Sequence, residues 1–271
     1  MYLAVDIGGT KTLLACFDAS GTIIKQDKFP TAPDYNAFLQ HLTAHIDAFY
    51  VDSYQAGGVA APGMIDREEG IGMVFGNLPW QNVSLQADIE KIIKAPVIVE
   101  NDSKVAGLSE AKLIINEFKK VLYVTIGTGI GTGLIINGVV DSELADSESG
   151  HILLEHEGKL QTWESFASGK AIVEKYGNKA SDITDPAALK DIAHNIAVGL
   201  INLIAVLQPE VIVIGGGVGT HFNKFKEPLM TELKKYEMPL VPIPPVRGAQ
   251  RAEEAAIYGC YELAKERYGS R

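Results

Sequence analysis

The sequence predicts an α/β protein of two similar lobes with a ligand cleft between them, and two observations carry that reading. The first is an internal repeat. Residues 2–7, the turn Gly8-Gly9-Thr10-Lys11, residues 12–17, the turn 18–21 and residues 22–28 read as strand, Gly/Thr turn, strand, hairpin turn, strand. The same grammar returns at 121–126, 127–131, 132–136, Asn137-Gly138 and 139–140. A repeat about half a chain apart points to two homologous halves rather than one sheet. The second observation is that helical and strand patterns alternate after each opening.

Each element has a local reason. Phe38, Leu42, Ile46 and Phe49 lie at helical spacing after Asp34, and Leu85, Ile89, Ile92 and Ile93 follow Ser84, which can cap them. Buried-type strands are expected at 56–60 and 96–99. In the second half Asp185-Pro186 starts a helix that runs through Ile196 and Leu200 to Leu207, stopped before Pro209. A strand at 211–214, a glycine turn, a helix at 224–236 and a last helix from 252 to about 267 close the chain.

Composition bounds the function. Of 271 residues 46% are hydrophobic and 21% charged, which excludes wholesale disorder. Lys plus Arg number 24 against 34 Asp plus Glu, a net charge of −10, so a chain-wide nucleic-acid surface would be repelled by phosphate. Any anion must be held locally. Cys16 and Cys260 are the two cysteines, in no CxxC pattern, so neither a disulfide scaffold nor a thiolate zinc site is supported. The chain opens on a strand without a signal-peptide pattern, and its most apolar run, 196–207, is interrupted by Asn202. A soluble cytoplasmic protein with no membrane contact is expected.

The glycine turns carry the first functional signal. Gly127-Thr-Gly-Ile-Gly131 has the spacing of a dinucleotide fingerprint, but strand and hairpin follow it where that motif needs a helix. A Walker A loop is absent, since Gly169-Lys170 is followed by Ala171 and Glu164 stands at the first glycine position. Two strand–turn–strand loops remain, each either a tight hairpin or a backbone cradle for an anion. As a facing pair they would hold a polyphosphate, with Asp6 placed for a hydrated magnesium ion and Lys11 for a phosphate oxygen. Gly215, Gly216 and Gly217 are either a loop before a helix or a flat shelf for a base or ribose. Asp102, at a strand–helix junction, taken alone reads first as an N-cap; the functional reading of the same geometry is a carboxylate facing a cleft.

Asp6-Ile-Gly-Gly-Thr-Lys-Thr12, Ala61-Pro-Gly63, Asn77-Leu-Pro, Glu100-Asn-Asp102, Ile126-Gly-Thr-Gly-Ile-Gly131, Glu148-Ser-Gly-His151 and Gly215-Gly-Gly217 occur in that order. In this the chain, over nearly its whole length, resembles the ROK family of sugar kinases and sugar-responsive repressors. The resemblance implies two ribonuclease H-like (actin-like ATPase) lobes: a small one of residues 1–104 plus about 252–271, and a large one of 105–251. It implies Asp102 as catalytic base and a hexose held by Gly63, Asn77, Asn101, Asp102, Glu148, His151 and Glu164. It implies ATP held by Gly8, Gly9, Thr10, Lys11, Thr12, Gly127, Thr128, Gly129, Gly131, Gly215, Gly216 and Gly217, with Mg2+ on Asp6 through water. The last helix would cross back to the first lobe.

One segment departs from the family pattern. Where most members carry a zinc-binding Cys-x-Cys-Gly-x-x-Gly-Cys run, this chain has Gly158-Lys-Leu-Gln-Thr-Trp163 and no cysteine. No structural zinc is expected, and Trp163 and Phe166 are expected to order the loop by packing. The expected function is an ATP-dependent hexose kinase similar to glucokinase, with hexose and ATP as partners and a homodimer left open. The alternatives are a kinase for an N-acetylated amino sugar, a polyphosphate-dependent kinase, a sugar-binding regulator, and an actin-like or chaperone ATPase. Only five residues precede Asp6, which argues against the regulator, and Asn101-Asp102 with Glu148-Ser-Gly-His151 tell against the last.

Overall fold

The computed structural model describes residues 1–269. The chain divides into two compact units, residues 1–109 with the C-terminal stretch from Glu254, and residues 110–253.

The first unit runs β1 (Tyr2–Ile7), β2 (Lys11–Phe17), β3 (Ile23–Pro30), α1 (Tyr35–Asp47), β4 (Ala56–Ala61), β5 (Met64–Asp66), β6 (Ile71–Val74), β7 (Gln81–Val83), α2 (Leu85–Ile93), β8 (Val97–Asn101) and α3 (Asp102–Leu113). Its main sheet has the order β3-β2-β1-β4-β8. The first three strands are antiparallel hairpin neighbours, and β1, β4 and β8 are parallel. Asp34 caps α1 by accepting the Ala37 N–H at 2.8 Å. Ser84 precedes α2 but makes no side-chain cap there, because its backbone is outside the extended region that aims a capping oxygen. Phe38, Leu42 and Ile46 of α1 and Leu85, Ile89 and Ile93 of α2 bury one face of the sheet. The small sheet β5-β6-β7 has no counterpart in the sequence reading; its strands are too short for alternation to register.

The second unit runs β9 (Lys120–Ile126), β10 (Ile130–Ile136), β11 (Val139–Val140), a 3-10 turn (Ser149–His151), β12 (Leu153–His156), β13 (Lys159–Thr162), α4 (Trp163–Ala167), α5 (Gly169–Tyr176), α6 (Pro186–Leu207), β14 (Val211–Gly215), α7 (Gly216–Gly219), α8 (Phe222–Lys234) and β15 (Val246–Gly248). The sheet order β11-β10-β9-β14-β15, with β9, β14 and β15 parallel, repeats the senses of the first sheet. Asp185 caps α6 by accepting the Ala187 N–H at 3.1 Å, with Pro186 as first helical residue. By length and composition α6 could cross a membrane. It is instead the core helix of this unit, burying Ile192, Ile196, Leu200 and Leu203 with Trp163, Phe225 and Leu229. Helix α8 begins two residues before the expected 224, because Phe222 and Phe225 both turn into that core.

The last helix, α9 (Ala255–Tyr268), belongs to the first unit. Ile257, Cys260, Tyr261 and Ala264 lie on Tyr2, Ala4, Ala15, Phe17, Ala56 and Ala60. Tyr261 stacks on Phe17 at 4.8 Å between ring centres. The approach is closest at Gly58 of β4, where a Cβ would lie 2.0 Å from the Cys260 carbonyl oxygen. Both partners are backbone, so neither can yield without moving a whole element. Gly58→Ala is therefore expected to lower stability by roughly 1–3 kcal/mol, read as a drop in urea midpoint at unchanged slope. A wild-type midpoint would show that the helix can back away freely.

Candidate functional site

In the first unit the C-terminal ends of parallel β1, β4 and β8 lie at one edge of the sheet, the edge where open α/β sheets place ligands. Asp6, Ala60 and Glu100 stand in line across the three strands, and Ala61 pairs with Asn101. Glu100 is buried and receives a two-pronged contact from Arg67, Nε to Oε2 at 2.8 Å and Nη2 to Oε1 at 2.7 Å. The same carboxylate accepts the Asn101 N–H at 2.6 Å. Asn101 donates from Nδ2 to the Gly63 carbonyl at 3.0 Å, and its Oδ1 accepts the Ser103 N–H at 3.0 Å and the Ser103 hydroxyl at 2.5 Å. Asn101 thus caps α3, and Asp102 is the first helical residue, half-exposed at the strand end. Asp102 Oδ1 also accepts the Ser103 N–H, at 2.6 Å, so both side chains meet the start of α3.

Asp6 is pushed up to about 7, first by burial and then by the nearby charge of Asp102, with Lys28 pulling the other way. Two carboxylates therefore share this edge, close enough for the charge of one to act on the other. That chemistry fits a hydrated divalent cation, with one protein carboxylate supplying a water-mediated ligand and phosphates the rest. Among the described residues no cluster of three or more His, Cys, Asp or Glu forms an all-protein metal cage.

The first glycine turn is braced from below. The Gly8 N–H donates to the Lys11 carbonyl at 3.0 Å, and the Thr31 hydroxyl donates to the Gly8 carbonyl at 2.8 Å. Thr12 is fully buried with its hydroxyl 2.9 Å from that of Thr31. It points inward because alternation along β2 exposes Lys11 and so buries its neighbour. The Thr12 hydroxyl supports the turn rather than facing a ligand, whereas Thr10 and Lys11 are exposed. Asn77 packs against this turn: a Cβ on Gly9 would lie 2.6 Å from that of Asn77.

In the second unit the turn Gly127–Gly131 is held at both ends. The Gly169 N–H donates to the Gly127 carbonyl at 2.7 Å, and the Ile130 N–H donates to Glu164 Oε2 at 3.1 Å. Thr128 is exposed between them. Gly127, Thr128 and Gly217 open on a cavity of about 650 Å3 walled by Val173, Ala180 and Val218, with Lys170, Lys179, Ser181 and His221 at its polar margins. Gly215 is buried and Gly216 half-buried, so of the third turn Gly217 is the residue that lines the space. None of these margin residues was found from sequence. They come from α5, the loop after it and the start of α8, which share no spacing pattern; Lys170 alone carried a signal, as the residue after Gly169.

Glu148 and His151 flank the 3-10 turn, both exposed, and Ser149 is tied to Thr132 by a 2.8 Å hydroxyl pair. His151 Nε2 lies 3.7 Å from Glu164 Oε1. The segment without cysteines forms the hairpin β12–β13 and delivers Trp163 into the core, where its indole N–H donates to the Asn195 carbonyl at 3.0 Å. Phe166 stacks on His156 at 4.2 Å.

The ROK family model matches residues 2–267. A glucokinase from Streptomyces coelicolor is 26% identical over 314 aligned positions, covering 98% of this chain and 98% of its own. An N-acetyl-D-glucosamine kinase from Yersinia pseudotuberculosis is 29% identical over 301 positions, covering 96% and 97%. The crystal structure of a ROK family glucokinase from Streptomyces griseus in complex with glucose and AMPPNP aligns with a TM-score of 0.83 at 24% identity, over 98% of this chain and 99% of that one, a likeness of fold.

Removing Arg67 would strand the buried Glu100 carboxylate. Arg67→Met is expected to cost roughly 2–4 kcal/mol, the lower part of the range for broken buried pairs because Arg67 is partly exposed. Adding Glu100→Gln should recover more than half of the loss in a double-mutant cycle by urea denaturation. Additive losses would show that the pair does not couple.

Proposed function

The chain belongs to the ROK family and has its actin-like two-lobed α/β fold, and from that premise we propose that it is a sugar kinase transferring the γ-phosphate of ATP to the 6-hydroxyl of an aldohexose, glucose first. The observation that carries this reading is the Asp6–Asp102 pair at the strand ends, where burial first and the charge of Asp102 second push Asp6 up. Asp102, half-exposed beyond a capped strand end, takes the proton of the 6-hydroxyl as that oxygen attacks the γ-phosphorus and ADP leaves. Asp6 would hold Mg2+ through water. The ion, when bound with ATP, neutralises charge on the phosphates. Gly9, Thr10 and Lys11 offer backbone N–H groups and one ammonium to phosphate oxygens, and Thr128, Gly129 and Gly131 offer backbone N–H groups from the second turn, while the Gly8 and Gly127 N–H groups brace their own turns on the Lys11 and Gly129 carbonyls.

Asn101 has one amide hydrogen on Gly63, and in this reading the other meets a sugar hydroxyl, with Gly63 and Asn77 beside it. Glu148, His151 and Glu164 supply further partners for hydroxyls. Such acceptor-rich contacts suit a ring bearing hydroxyls all round. The cavity beside Gly127 and Gly217 supports ATP over polyphosphate as donor, because its Val173, Ala180 and Val218 walls would have nothing apolar to bind in a polyphosphate chain. Work on a cytoplasmic sugar with ATP follows from this donor. The Yersinia relative keeps an N-acetylated amino sugar as the second reading for the acceptor.

Asp102→Asn is expected to keep the fold and sugar binding and to lower kcat by at least about a hundredfold. Turnover near wild type in a coupled assay would remove Asp102 as the base. Acceptor and donor are decided by kcat/KM for glucose, mannose, N-acetylglucosamine and N-acetylmannosamine, each with ATP and with polyphosphate. Glucose with ATP is expected to lead. A tenfold preference for an acetylated sugar, about 1.4 kcal/mol at the transition state, would overturn the acceptor, and equal use of polyphosphate would overturn the donor.

A further inference from the structure

Glu164 touches two things at once. Its Oε2 accepts the Ile130 N–H at 3.1 Å, and its Oε1 lies 3.7 Å from His151 Nε2. The slot that receives Oε2 is open only because two glycines line it: a Cβ on Gly129 would lie 2.5 Å from that oxygen, and one on Gly150 would lie 3.2 Å from it. The side chain is thus seated on the backbone of the Gly127–Gly131 turn. Its own position is set from behind, since Trp163, the preceding residue, is buried and bonded to Asn195. The same short stretch also reaches the other end of the turn. The Ser168 N–H donates to the Glu164 carbonyl at 3.2 Å, and the Gly169 N–H donates to the Gly127 carbonyl.

We propose that Glu164 is a positioning residue for the donor turn, holding Ile130 and so the N–H groups of Gly127–Gly131 in place, in addition to any contact it makes with the sugar. The assignment of that turn to the donor rests on the sugar-kinase reading. The hydrogen bond itself does not. A carboxylate shared between a turn that meets phosphate and a segment that meets sugar links the two binding events, because whatever ligand moves Glu164 also moves Ile130.

A purely sugar-binding Glu164 would leave the ligand-free turn and nucleotide affinity untouched, and this separates the two roles. Amide hydrogen exchange at Ile130 is measured in the ligand-free protein, and the Kd for AMPPNP is measured without sugar. Glu164→Ala is expected to speed Ile130 exchange by tenfold or more and to raise the Kd for AMPPNP by threefold or more. Glu164→Gln, whose amide oxygen can still accept the N–H, should stay within threefold and twofold of wild type respectively. Glu164→Asp, one methylene too short to reach, should behave as Glu164→Ala and replaces it if the alanine variant does not fold. Wild-type exchange and wild-type AMPPNP affinity in the alanine or aspartate variant, with glucose affinity lost, would overturn the proposal. Equal damage from Gln and Ala would also overturn it, since charge rather than the hydrogen bond would then be acting. If the wild type binds neither AMPPNP nor glucose, the kinase reading falls while the exchange measurement still decides the pin.

Discussion

The acidic edge of the first unit depends on how closely one helix approaches one sheet. At Gly58 the backbone of β4 meets the Cys260 carbonyl, and at Gly259 the backbone of α9 meets α3, where a Cβ would lie 1.9 Å from the Val105 carbonyl oxygen. Helix α9 therefore rests on the sheet and on the helix that begins at Asp102. The Cys260 thiol completes the seat by donating to the Val5 carbonyl, one residue before Asp6. The elements carrying both carboxylates are positioned by the same face of the same helix. Side chains larger than hydrogen at Gly58 or Gly259 would displace the frame on which that pair stands.

Electrostatics follow from this packing. A carboxylate at the end of a buried strand loses hydration, and a second one nearby raises it further, which is the condition of Asp6. Glu100, two strands away in the same register, is met by Arg67 with two parallel N–H donors. One edge thus holds a carboxylate that stiffens the strand end and, beside it, two carboxylates whose charges act on one another. Structural and chemical roles have been divided among acidic residues by what each is packed against.

The second unit solves a different problem, holding a glycine turn of which Ile130 is the one side chain buried in the core. The anchor comes from outside the turn. Trp163 fills the core, and the chain after it returns to both ends of Gly127–Gly131. Apolar burial of one indole is converted into fixed directions for backbone groups of a turn distant in sequence.

The repeat of strand, glycine turn and strand was legible because hairpin turns and alternating strands are local, written within ten or so residues. The helix starts at Asp34 and Asp185-Pro186 were legible for the same reason. Asp6, Asn101, Asp102 and the two glycine turns could be named as candidates from residue type and junction alone. What each one does was set by partners distant in sequence. The Thr12 hydroxyl meets that of Thr31, the Asn101 amide meets the Gly63 carbonyl, and Arg67 and the cavity residues around Val173 and Ala180 had no sequence pattern at all. The short sheets β5-β6-β7 and β12-β13 were not legible because their few residues carry too little periodicity to announce a strand. Sequence by itself determined the kind of elements and the chemistry at their ends; the tertiary structure decided which groups are buried, paired or left charged, because burial and pairing depend on neighbours that only folding brings near.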